Sequence, residues 1–351
     1  MIYLDAAAMH PVLPCAREAF LNAPFGNPSS EHQVGHEARS ALEHAREKIA
    51  ALMDCQPEGI YFTSTATEAS ETAINSLWTS GFDVSVSSIE HHAISENYLV
   101  REQNRIGVRR VVGIAYAWML ANNETGYLLL PPAIDPGIDE LWLCDATAAV
   151  GHIPVSFKSL GCDYLIADGI KFGGVPGAAF LIAKTGAPLS PLIRGGGQER
   201  GMRSGTENVP AICAMAAALE WQTQRMEENT EKLNDMRCWL MLHLDKTIPN
   251  IQWNTPLDKP HLPHILNVSF TGVDAHALAL LLSKDGVMVS PGAACSNGKN
   301  EPSHVIMAMF HDEQRARSAI RISLSHENTE EEIQIAAEKI KNAVAYLRSI
   351  A

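Results

Sequence analysis

Apolar positions along this chain follow two distinct periods. From His36 to Met53, Ala38, Leu42, Ala45, Ile49 and Leu52 recur at the three- and four-residue spacing of a helix with one buried face. Short apolar runs behave differently: Gly59 to Phe62, Val84 to Val86, Ala115 to Leu120, Leu141 to Cys144 and Tyr164 to Ala167 each end in a polar or glycine-containing turn and are expected to be strands. Helical segments separate several of them, which predicts an α/β fold with a mainly parallel sheet flanked by helices. Its site is expected at the carboxyl ends of the strands.

Further along, Gly205 to Thr223 opens on a glycine and polar turn and becomes an alanine-rich helix, and a charged helix runs from Met226 to Leu244. Four prolines follow, at 249, 256, 260 and 263, and mark the best candidate boundary. Beyond it, Ile265 to Phe270 and Ile320 to Leu324 read as strands, and Ala275 to Ser283 and Thr329 to Leu347 as helices, the pattern of a smaller α+β domain. The expected division is a large domain over 13–246 and a small one over 247–351, with the segment 1–12 packing against the small one.

Composition narrows the class. At 351 residues with 46% hydrophobic and 19% charged positions, the chain suits a soluble globular protein of one large and one smaller domain. A formal charge of −13 argues against direct nucleic-acid binding, which needs clustered Lys and Arg. The first residues lack a basic stretch followed by an apolar one, and no segment has the apolar length of a membrane span, so a cytoplasmic location is expected. Seven dispersed cysteines without a C-x-x-C pair or metal-ligand spacing suit a reducing compartment and predict no metal site.

Candidate chemistry centres on Lys171, in Asp168-Gly-Ile-Lys-Phe-Gly-Gly-Val-Pro-Gly177, where the strand ending at Ala167 breaks into a glycine-rich turn. A desolvated lysine there can form a Schiff base with an aldehyde cofactor, although a loop lysine is more often simply solvated. Asp145 ends a strand, where it could pair with a pyridinium nitrogen or merely cap a turn. Thr65-Ala66-Thr67 before a helix offers donors to a phosphate. His91 could stack on a pyridine ring and relay protons, or be structural. Arg321 could clamp a carboxylate through two parallel hydrogen bonds. Cys295, in the small-residue run Val289-Ser-Pro-Gly-Ala-Ala-Cys-Ser-Asn-Gly298, is the cysteine best placed to be nucleophilic, the other six sitting in or beside apolar or helical stretches.

In this order the residues resemble the cysteine desulfurases of the class V aminotransferase group, built on the fold type I scaffold of pyridoxal-phosphate enzymes. The resemblance is carried by Ile2-Tyr-Leu-Asp5, Gly26-Asn-Pro-Ser-Ser30, Phe62-Thr-Ser-Thr-Ala-Thr-Glu68, Glu90-His91, Asn122-Asn-Glu-Thr-Gly126, Asp145-Ala-Thr147 with Gly151, Asn267-Val-Ser-Phe270 and Ile320-Arg-Ile-Ser-Leu324. Its most specific part is Gly195-Gly-Gly-Gln-Glu-Arg-Gly-Met-Arg-Ser-Gly-Thr206. It implies pyridoxal 5'-phosphate as cofactor, with Lys171 its covalent anchor, His91 the stacking acid/base residue and Asp145 the partner of the ring nitrogen. Ala66, Thr67 and Thr206 become phosphate-side ligands, Thr206 being offered to the other subunit of a homodimer. Asn123 and Arg321 become contacts to the carboxylate of L-cysteine, and Cys295 the persulfide carrier that passes sulfur to an acceptor protein, as in iron-sulfur cluster biogenesis. A selenocysteine lyase and a degenerate homologue acting as a scaffold or regulatory partner are alternatives on the same fold.

Departures from the family pattern cluster on the cofactor. Asp168 and Ile170 stand where a serine and a histidine usually contact the phosphate, and Ala148 stands where a glutamine usually meets the ring oxygen. The stretch from Ile106 to Leu120 is shorter than in the family, and the chain stops at Ala351 before a C-terminal extension that helps dock scaffold partners. Asp168 matters most, because a carboxylate about 4 Å from a phosphate charge costs roughly 4 kcal/mol per charge pair at an effective dielectric of about 20. Rotation or protonation would relieve much of that, and weaker cofactor retention is expected.

Overall fold

A computed structural model of the protein describes residues 1–103, 111–132, 139–292 and 301–350. They form two compact units, one of residues 12–120 and 129–224, the other of residues 1–11, 121–128 and 225–351.

The larger unit is built on a six-stranded sheet. Its strands are ordered Ile60–Thr63, Ala179–Ala183, Tyr164–Asp168, Glu140–Asp145, Gly113–Ala117 and Phe82–Val86. The last four pair in parallel, and only Ala179–Ala183 runs against its two neighbours, so five strands point the same way. Both faces are covered at Tyr164–Asp168 and Ala179–Ala183. Leu165 and Ala167 join a core with Leu42, Ile49 and Met215, whereas Tyr164 and Ile166 join a core with Ala73, Ile74 and Leu77. Burial on both faces is why these two strands read as continuous apolar runs, whereas Phe82–Val86 and Gly113–Ala117 alternate in burial.

Helix Gln33–Met53 starts three residues before the expected His36, because the His32 ring accepts the Gly35 amide and caps the first turn. Strand Gly113–Ala117 ends before the expected Leu120, although the Trp118 and Leu120 amides still reach the Leu143 and Asp145 carbonyls. The alanine-rich helix is Val209–Gln224.

The smaller unit holds a four-stranded antiparallel sheet ordered Ser290–Pro291, Ala319–Ser323, Ile265–Phe270 and Ile251–Trp253. Helices Ala275–Lys284 and Glu330–Ile350 contribute to its core. Ile2–Tyr3 pairs in parallel with Val287–Met288, and Asp5 bridges to Ser323, so the first residues belong to this unit. The expected boundary after 246 is corrected by helix Met226–Thr247, which belongs to the smaller unit. Its Leu233, Met236, Leu240 and Leu244 share a core with Ile333, Ala336 and Ile340, a tertiary contact that the proline-rich stretch behind the helix does not signal. Among the described residues no helix is long and apolar enough to cross a membrane.

The glycine-rich run 195–206 is held by a buried ion pair. Glu199 binds both terminal nitrogens of Arg46 at 2.7 and 2.9 Å and accepts the Phe62 amide at 2.8 Å. The Arg46 guanidinium also lies 4.5 Å from the centre of the Phe62 ring. Glu199 and Arg200 adopt left-handed backbone, with φ of 47° and 55°, strain that such fixed side chains can hold in place. Removing one partner strands a buried charge, so Glu199→Ala is expected to lower unfolding stability by about 3–5 kcal/mol in urea titrations; a loss within about 1 kcal/mol would mean the pair is not structurally important.

Candidate active site

Because five strands of the six-stranded sheet point one way, their carboxyl ends share one edge. Ala66 and Thr67 follow the strand ending at Thr63, His91 follows the strand ending at Val86, Asp145 ends its own strand, and Lys171 lies three residues past Asp168. Four of the elements expected to serve one site are thereby brought to the same edge. This is the position at which open α/β sheets bind ligands.

Asp145 is almost buried, and its Oδ1 accepts the Thr147 amide at 2.9 Å. Beside it lies a second acid, Glu90, fully buried, whose Oε1 accepts the Met119 amide. Burial first, and then the nearby Asp145 charge, push the Glu90 carboxyl well above the usual carboxylate range. The sequence marks Glu90 as part of a motif but gives no sign that it faces Asp145.

Lys171 ends the short turn Gly169–Lys171, where its carbonyl lies 2.9 Å from the His152 ring. Gly151, beside that histidine, has φ of 83°, and a Cβ there would come within 2.5 Å of the Phe172 side chain. Only glycine fits that approach. The His91 Nδ1 accepts the Ala93 amide at 3.1 Å, an arrangement that leaves the proton of a neutral ring on Nε2.

Thr65 caps helix Ala66–Thr79 by accepting the Glu68 amide at 3.2 Å. Asp168 reaches the same helix from 102 residues away: its Oδ2 accepts the Ala66 amide at 2.9 Å and its Oδ1 the Ile170 amide at 3.2 Å. The carboxylate is not rotated to solvent but is 5% exposed. Burial first, and then the Asp145 charge, raise its pKa, against the two amides and the Lys171 charge. Ala148 carries no polar side-chain atom for a ring oxygen. Thr206 is exposed on the loop whose Gly205 amide is fixed by Gln198 Oε1 at 2.9 Å.

Two expected substrate contacts lie in the smaller unit and touch each other. Arg321, 3% exposed, donates through Nη1 to the Asn123 carbonyl at 3.0 Å and through Nη2 to Asp5 Oδ1 at 2.8 Å. The fork expected to make two parallel bonds to a carboxylate is therefore already engaged at both ends, because a buried guanidinium needs a counter-charge and Asp5 supplies it. Among the described residues Arg321 Nε has no hydrogen-bond partner. Asn122 Oδ1 accepts the Glu124 and Thr125 amides and the Thr125 hydroxyl, which fixes the 122–126 turn.

Cys295 lies outside the described residues. Of the other cysteines, Cys144 and Cys162 are buried and burial pushes the Cys55 thiol up to about 12, the behaviour of packing residues; Cys238 is exposed on its helix.

The Lys171 amine and the Asp145 carboxylate are of the kind that would hold an aldehyde cofactor with a ring nitrogen, whereas the start of helix Ala66–Thr79, the natural seat for an anionic tail, already carries the Asp168 carboxylate.

The chain matches the aminotransferase class-V family model over residues 2–112 and 114–335. It is 35% identical over 380 residues to the cysteine desulfurase IscS of Dictyoglomus turgidum, covering 99% of this chain and 96% of that one. The putative cysteine desulfurase IscS 1 of Bacillus subtilis is also 35% identical, with 99% of both chains covered. Among solved structures a NifS-like protein superposes with a TM-score of 0.86 at 30% identity, covering 98% of this chain and 99% of that one.

The turn leading into the helix is stiffened by an ion pair that residue spacing did not reveal. Arg203 donates to Glu68 Oε1 at 2.8 Å and to Ser64 Oγ at 2.6 Å, while Glu68 Oε2 accepts the Ser64 amide at 2.9 Å. Burial alone would raise the Glu68 pKa, but the bonds from Arg203 and Ser64 outweigh it and hold it below the usual value. A depressed carboxyl contributes stability above its unfolded pKa and loses it as pH falls through the folded one. In Arg203→Met, melting temperature is therefore expected to be lower than wild type at neutral pH and to decline less steeply into the acid range; parallel pH profiles would contradict this.

Proposed function

We propose that this chain, which belongs to the aminotransferase class-V family and within it to the cysteine desulfurases, converts L-cysteine to L-alanine and loads the released sulfur onto Cys295. The family's cofactor is pyridoxal 5'-phosphate. The observation that supports the reading is the shared sheet edge: the strands leading to Lys171 and ending at Asp145 are neighbours, and the strand leading to His91 lies two places further along the same sheet.

In this reading Lys171 holds the cofactor through Nζ, Asp145 stands at the ring nitrogen, and Ala66, Thr67 and a partner copy's Thr206 serve the phosphate end. When bound, the group withdraws electrons from the carbon bearing the substrate's amine. Asp145 would pair with the ring nitrogen, and the buried Glu90 beside it, its pKa raised first by burial and then by the Asp145 charge, limits where a second negative charge can settle. His91, with its proton on Nε2, stacks and moves a proton. Asn123 and Arg321 orient the substrate carboxylate, Arg321 by sharing the charge it now gives to Asp5. The Cys295 thiolate attacks the substrate sulfur: one S–S bond forms, the substrate's C–S bond breaks, and the β-carbon takes a proton to become the methyl group of alanine. The persulfide then passes to an acceptor protein, and iron-sulfur cluster assembly is the proposed destination. The proposed assembly is a cytoplasmic homodimer.

A second reading, a folded homologue that serves as a scaffold, is favoured by one observation, the Asp168 carboxylate seated at the anion-binding helix end.

Turnover decides between them. With L-cysteine and saturating cofactor, wild type is expected to form alanine in step with a persulfide on Cys295. Lys171→Ala is expected to abolish turnover, Cys295→Ser to leave no protein persulfide, and His91→Ala to lower kcat roughly 10²- to 10⁴-fold. No alanine from wild type, or full activity in Lys171→Ala, would reject the desulfurase reading.

A further inference from the structure

We infer that Asp168 competes with the phosphate end of the cofactor for the amides that open helix Ala66–Thr79, so that this chain holds pyridoxal about as well as pyridoxal 5'-phosphate. The inference rests on the proposed function only for the identity of the cofactor.

A helix start leaves its first amides without partners inside the helix, and those amides are the natural seat of an anion. Two of them are taken from within the chain. The Ala66 amide goes to Asp168 Oδ2 at 2.9 Å and the Glu68 amide to Thr65 Oγ1 at 3.2 Å, while the Ala69 amide makes the first regular bond of the helix to the Thr65 carbonyl at 3.1 Å. Asp168 is also fixed from its other side, by the Ile170 amide at 3.2 Å, and the Ile170 side chain offers no donor in exchange.

A phosphate brought to the same amides meets a carboxylate that is 5% exposed, where water screens repulsion poorly. Pyridoxal carries the same aldehyde and ring but no such charge. It can reach Lys171 while the bond between Asp168 and Ala66 stays intact. Asp168 thus acts as a built-in anion that fills the seat and selects for the uncharged tail.

The full-length chain, stripped of cofactor, is titrated with pyridoxal 5'-phosphate and with pyridoxal, and each Kd is read from the change in absorbance. Wild type is expected to bind the two aldehydes within about tenfold of each other, a difference of about 1.4 kcal/mol. Asp168→Ser is expected to tighten binding of the phosphorylated form at least about tenfold and to change pyridoxal binding less than about threefold; Asp168→Asn is expected to shift in the same direction. Inorganic phosphate is expected to raise the melting temperature of Asp168→Ser and not that of wild type. Preference of wild type for the phosphorylated aldehyde by more than about a hundredfold overturns the inference, and that ratio needs no variant to fold. An equal shift of both aldehydes in Asp168→Ser overturns it too. Alanine formation from L-cysteine is measured separately: its presence with strong selectivity for phosphate rejects only the role of Asp168, whereas its absence rejects the desulfurase reading and leaves the selectivity ratio to decide the inference.

Discussion

One carboxylate ties together the strand, the turn and the helix on which this chemistry depends. Asp168 ends strand Tyr164–Asp168, caps the turn that presents Lys171 and binds the first amide of helix Ala66–Thr79. Such a junction serves two purposes that pull in opposite directions. As structure, it satisfies two backbone donors and fixes the lysine turn against the helix; as chemistry, it places negative charge at the helix start proposed for the cofactor's phosphate. The sheet supplies the rest of the frame, because its common strand direction brings Asp145, Lys171 and the segments holding Ala66 and His91 to one edge.

Much of this frame was legible in the residues. Strand Ile265–Phe270 has the expected bounds because the whole run is buried, and strand Tyr164–Asp168 announces itself as an unbroken apolar stretch for the same reason. Lys171 and Asp145 could be singled out because a strand end and a glycine turn are local features. Other features are not local. The bond from Asp168 to Ala66 spans 102 residues and depends on how strand Ala179–Ala183 is interposed between two others, which no spacing rule conveys. Helix Met226–Thr247 looked like the end of the large domain because prolines follow it, yet its apolar face packs with helix Glu330–Ile350.

Arg321 illustrates a similar limit. Its place in strand Ala319–Ser323 suggested a fork for a carboxylate, but a guanidinium 3% exposed requires a charge of its own, and Asp5 provides it. The N-terminal Ile2–Asp5 motif is in this sense part of the arginine's environment rather than a separate signature. Glu199, deep in the glycine-rich run, plays the corresponding role for Arg46 in the larger unit.

A covalent bond between the cofactor and a single amine underlies all of the proposed chemistry. Borohydride reduction of the full-length protein in the presence of pyridoxal or its phosphate, followed by digestion and peptide mass analysis, tests this directly. The account predicts one dominant modified peptide, with the added mass on Lys171. A protein left unmodified, or one modified chiefly at another lysine, would contradict it.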